Sequence, residues 1–64
     1  MDKAKMAARL KAARGKRNRE EVAAAVGVSP SAIGMYEIGA RIPRDDVKIR
    51  IANYYGVQVQ DLFY

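Results

Sequence analysis

Three residues, Gly27-Val28-Ser29, separate two stretches that each read as a short helix. A joint that short forces the two helices to cross sharply and in contact. The local residue types fit that demand. Gly27 tolerates the positive φ of a tight turn. Ser29 is a favoured N-cap, and Pro30 stands at the first helical position, where a missing N–H costs nothing. Asn18 caps the earlier helix, with Glu21 three residues on in the capping-box position. Ala23 is small enough for the crossing, and Val22, Val26, Val28, Ile33 and Tyr36 supply the inward faces. In this geometry the second helix projects as a probe for the major groove of DNA.

Turn signals divide the rest of the chain in the same way. A first helix is expected over about Asp2 to Arg14, capped by Asp2 and ended by Gly15, with Met6, Leu10 and Ala13 as its apolar stripe. The third reaches about Ile38 before Gly39. A fourth should run from Arg44 or Asp45 to Tyr55, with two aspartates at its positive end, Gly56 beyond it, and Val47, Ile51, Tyr54 and Tyr55 on one face. Val47, Ile49 and Ile51 also alternate like a strand, but the aspartates, Ala52-Asn53 and the closing glycine favour helix. A last turn covers about Val59 to Phe63. The expected fold is all-α: a compact bundle of five short helices over residues 1–64 as one domain, with a helix-turn-helix at about 19–38.

A chain of 64 residues has little apolar surface to bury, and eleven of its residues are alanines, which fill little volume. It has no cysteine and no histidine. Disulfides and thiolate metal sites are thereby excluded, along with the commonest metal ligand and general base. The remaining carboxylates, lysines and tyrosines read as caps and surface charges rather than an active site, so neither an enzyme, a cofactor nor a metal is expected. No apolar run approaches the ~20 residues of a membrane span.

The charge is lopsided. Eight basic residues stand between Met1 and Arg19 against the single acid Asp2, whereas from Glu20 onward there are four basic and six acidic residues. A concentrated positive field suits a polyanion such as nucleic acid. Charge alone would equally describe a solvated helix face, and the composition is also that of a transit peptide, whose removal would leave too little chain to fold.

The sequence resembles the Cro/repressor-type, or xenobiotic-response-element, helix-turn-helix proteins. The resemblance rests on Asn-Arg-Glu-Glu-Val-Ala at 18–23, Gly-Val-Ser at 27–29 and Ile33. It continues through Tyr36-Glu37-x-Gly39-x-x-x-Pro43, Ile51-Ala52, Gly56-Val57 and Leu62-Phe63. It implies a five-helix domain, dimeric binding to palindromic double-stranded operators, and repression of transcription in a phage or prokaryotic cytoplasm. It also makes Glu37 a buried partner for an arginine of the first helix, here Arg14, the alternative being an exposed surface acid. The link between the first two helices is shorter than usual in the family, and Arg19 stands where glutamine is often found.

The base-contacting face is expected to comprise Pro30, Ser31, Ala32, Gly34 and Met35. It contains none of the Arg, Asn or Gln side chains that make bidentate base contacts, so specificity should come from apolar contacts and DNA shape. Phosphate contacts are expected from Lys16, Arg17, Asn18, Arg19, Ser29, Arg41 and Arg44. A homodimer interface is expected from Tyr54, Val59, Leu62, Phe63 and Tyr64, which concentrate bulky apolar surface at the C-terminal end. A protein-interaction module on the same scaffold, or an antitoxin that keeps DNA binding, are the alternatives.

Overall fold

The computed structural model describes residues 2–64, and among them every regular element is helical. The order is α1 (Lys3–Arg14), α2 (Arg19–Val26), α3 (Pro30–Glu37), α4 (Asp45–Tyr55) and α5 (Val59–Phe63). Each of the first three starts has a local cause. Asp2 accepts from the Lys5 N–H, Asn18 from the Glu21 N–H at 2.7 Å, and Ser29 from the Ala32 N–H at 3.1 Å. At α2 the capping box is only half made. The Glu21 carboxylate turns away from Asn18 and accepts the Tyr54 hydroxyl at 3.1 Å, tying α2 to α4. The reciprocal box forms instead at α5, between Gln58 and Asp61.

Two glycines have distinct structural roles. Gly27 takes the left-handed conformation (φ 85°) that lets α2 stop and the chain double back into α3. Gly39 (φ 74°) ends the excursion after α3, and a Cβ there would stand 3.2 Å from the Lys3 carbonyl oxygen. It therefore fixes both a turn and the approach of that turn to α1.

The core is shared by all five helices. Met6 and Leu10 of α1 meet Val22, Ala23 and Val26 of α2, Ile33 and Tyr36 of α3, Val47 and Ile51 of α4, and Leu62 and Phe63 of α5. Val47 and Ile51 point inward one helical turn apart while Ile49 is exposed, so the strand-like alternation in α4 has no structural meaning. Arg50 donates to the Val26 carbonyl at 2.7 Å and to Asp46 at 3.2 Å, closing the C-terminal end of α2 against α4.

Candidate nucleic-acid interface

The site is built from α2, the turn and α3, held from behind by α1. Arg14, at the last turn of α1, donates from Nε to Glu37 Oε2 at 2.7 Å. Its Nη1 donates to the Arg17 carbonyl at 2.9 Å. One guanidinium thus joins α1, the α1–α2 link and the end of α3. The Glu37 side chain is 2% exposed and that of Arg14 is 17% exposed. The hydrogen bond to Glu37 raises the Arg14 pKa above its ordinary value, against the opposing effect of burial. Glu37 Oε1 is buried without a hydrogen bond from the described residues. Arg19 Nε stands 3.5 Å from it, near enough for charge attraction but lacking hydrogen-bond alignment.

Of the residues expected to touch bases, Pro30, Ser31 and Met35 are exposed and Gly34 is half-exposed. Ala32 is not available. It is 8% exposed and belongs to the core, because it lies one position before Ile33 on the side of α3 that faces the bundle. The vacated outer face carries a side chain from elsewhere. A methyl group at Gly34 would lie 3.8 Å from Arg19 Cζ and Nη1, so the Arg19 guanidinium rests alongside α3 at that position.

Apart from Arg19, the residues expected to meet phosphates divide into three groups. Lys16, Arg41 and Arg44 are exposed, and Arg44 makes only a loose 3.8 Å contact with Asp46. Arg17 is turned back onto the protein: its Nη1 donates to the Ala13 carbonyl at 3.1 Å, and its Cζ lies 5.7 Å from the ring centres of Tyr54 and Tyr55. The short α1–α2 link is therefore closed by Arg17 as well as by Arg14. Asn18 and Ser29 use their acceptors as caps, leaving the Asn18 amide and the Ser29 hydroxyl proton without an acceptor among the described residues.

At the C-terminal end, Leu62 and Phe63 are 4% and 2% exposed. Both side chains are consumed by the core of a single chain and cannot line an interface, which corrects their assignment to one. Val59 is half-buried, and the Tyr54 hydroxyl is occupied by Glu21. Of that group only Tyr64 is exposed, and Ile49 and Val57 are the other exposed large apolar residues of this end.

Lys48 was not foreseen from sequence. It is buried, with Nζ 3.1 Å from the Tyr64 hydroxyl, 3.6 Å from Asp45, and 5.7 and 5.1 Å from the Phe63 and Tyr64 ring centres. The i, i+3 spacing from Asp45 and the adjacency to Val47 were the available signals. Lysine is so often a surface residue that they carry little weight.

A short two-helix unit with a left-handed glycine at its joint, an exposed second helix and cations on the flanking segments defines a DNA-reading scaffold. The family model described as helix-turn-helix matches residues 6–62. The chain belongs to that family, the xenobiotic-response-element type of helix-turn-helix DNA-binding regulators. Among solved structures it is similar to the SOS-response transcriptional repressor LexA from Eubacterium rectale. The TM-score is 0.89 at 26% identity, over 97% of this chain and 68% of that one. None of the curated proteins matches it significantly. Among the described residues no helix is long and apolar enough to cross a membrane.

Proposed function

We propose that this chain binds double-stranded DNA sequence-specifically, as a homodimer on a palindromic operator, and represses transcription. The observation that carries the reading is the exposed face of α3. It projects from a three-residue turn, and exposed cations stand on the segments leading into α2 and out of α3. Helix α3 would enter the major groove, with Pro30, Ser31, Gly34 and Met35 toward the base edges. Lys16, Arg41 and Arg44 would meet phosphates, helped by the Asn18 amide and the Ser29 hydroxyl. The copies would join through Tyr64 and the exposed α4 flank at Ile49, with two recognition helices about 34 Å apart.

Salt titration of variants tests this. Removing one phosphate-binding cation should reduce the slope of log affinity against log salt by about 0.9. Lys16→Ala, Arg41→Ala and Arg44→Ala should therefore weaken binding to all sequences alike and flatten the salt dependence. Ser31→Ala and Met35→Ala should keep the slope and alter sequence preference by about 1 kcal/mol at one base pair. The opposite pattern would invert the faces. One observation favours a protein partner instead: Ile38, directly after α3, is 73% exposed. Binding that ignores salt and duplex DNA alike would select that reading.

A further inference from the structure

The exposed face of α3 has a gap where its chemistry should be strongest, and a side chain from α2 fills it. Gly34 contributes no side chain to that face, and Ser31 and Met35 offer one hydroxyl and one thioether. Across Gly34 lies the Arg19 guanidinium, 48% exposed, with its Cζ and Nη1 3.8 Å from the position a Cβ would take. Its Nε faces the buried Oε1 of Glu37 at 3.5 Å, the oxygen that has no hydrogen bond from the described residues. No described residue accepts a hydrogen bond from its two terminal nitrogens. The guanidinium therefore lies beside α3 at Gly34, drawn at Nε by the charge of the Glu37 carboxylate, and its terminal nitrogens have no acceptor among the described residues.

Resting on the DNA-binding reading above, we infer that Arg19 reads a guanine in the major groove, supplying from α2 the bidentate donor that α3 lacks. The Nη1/Nη2 fork matches the O6 and N7 acceptors of guanine, a match that a lysine ammonium cannot reproduce. Glu37 is then a positioning residue, since the attraction of its Oε1 for Nε keeps the guanidinium beside α3 and leaves the terminal nitrogens without a described acceptor. A simple phosphate contact would require only positive charge, and the two roles separate experimentally.

The full chain is used to select bound duplexes from a random pool at fixed salt. The expected half-site contains an invariant guanine, and replacing it with 7-deazaguanine should weaken wild-type binding about five- to a hundredfold. Arg19→Lys, checked for an unchanged circular-dichroism spectrum, should bind all four bases at that position within about twofold while keeping the wild-type salt slope. Three results overturn the assignment: a half-site without guanine, a guanine preference that survives Arg19→Lys, or an Arg19→Ala variant that lowers the slope by about 0.9 with its base preference intact. If the wild-type chain binds no duplex at all, the DNA-binding reading fails and this inference fails with it. If it binds selectively but indifferently to Arg19→Lys, only this inference fails.

Discussion

Two charged side chains are buried among the described residues of this small bundle, Glu37 and Lys48, and they are held in different ways. Glu37 is reached by two guanidiniums from two other helices, at 2.7 and 3.5 Å. Lys48 is held by an exposed carboxylate on its own helix, one hydroxyl and two ring faces at the chain's end. The first arrangement joins α1, the α1–α2 link, α2 and α3 around a single charge. The second fastens the tail to α4. A buried charge tied to several elements fixes their mutual geometry, whereas one tied mainly to its own helix and a terminus mostly covers the stem of a long side chain. The half that carries α2 and α3 is therefore the rigidly specified half, and α5 is the more tolerant one.

The largest expected effect tests the stronger centre. Arg14→Met strands a carboxylate that is almost wholly buried and should cost about 3–5 kcal/mol, most of the stability of so small a domain. Glu37→Gln strands Arg14 instead, and Arg14 retains some access to water. Its cost should be smaller, about 2–3 kcal/mol. Urea denaturation of both variants checks the order, and equal midpoints for the two variants and the parent would mean Glu37 is structurally idle.

Next in size is Gly34→Ala, beside the same centre. The added methyl meets Arg19 at ordinary van der Waals distance, so nothing opposes the gain in helix propensity. The unliganded protein should be stabilised by about 1 kcal/mol, read as a higher thermal midpoint. A lower midpoint would reveal crowding beneath Arg19.

Lys48→Met should change stability by less than about 1 kcal/mol, because an apolar chain of similar length keeps the packing and no longer needs a counter-charge. A destabilisation as large as that of Arg14→Met would erase the contrast between the centres.

The smallest effect is alkaline. Burial chiefly raises the Tyr55 pKa, and the Glu37 charge adds to it, against Arg14 and Arg17. Tyr54 is raised by desolvation and by its bond to Glu21. Both pKa values are higher folded than unfolded. Their contribution is thus intact below the unfolded value near 10 and disappears as pH rises through the folded values. Tyr55→Phe should flatten that alkaline decline in thermal midpoint. An unchanged pH profile would show that Tyr55 titrates alike in both states.

Local signals made the helices readable: Asn18, Ser29 and Pro30 open α2 and α3, and Gly27 and Gly56 close α2 and α4 through bonds that span only a few residues. What escaped the sequence was decided by packing at a distance. Ala32 looks identical on either face of α3, and only the seat of α3 against the bundle buries it. Leu62 and Phe63 read as surplus apolar bulk until α5 folds back against α1 and α4. The joining of Arg14 with Glu37 spans 23 residues, so composition and periodicity are silent on it and the family resemblance alone suggested it. The position of Arg19 over Gly34 depends on the α2–α3 crossing itself and had no sequence signal.

Selection of bound sequences from random duplex DNA, at stated salt and followed by sedimentation of the selected complex, addresses the DNA-binding claim most directly. The expected result is an enriched palindrome whose half-sites lie about one helical turn apart, bound by two copies of the chain. No enrichment over the input pool, with the protein folded and monomeric beside the DNA, would contradict it.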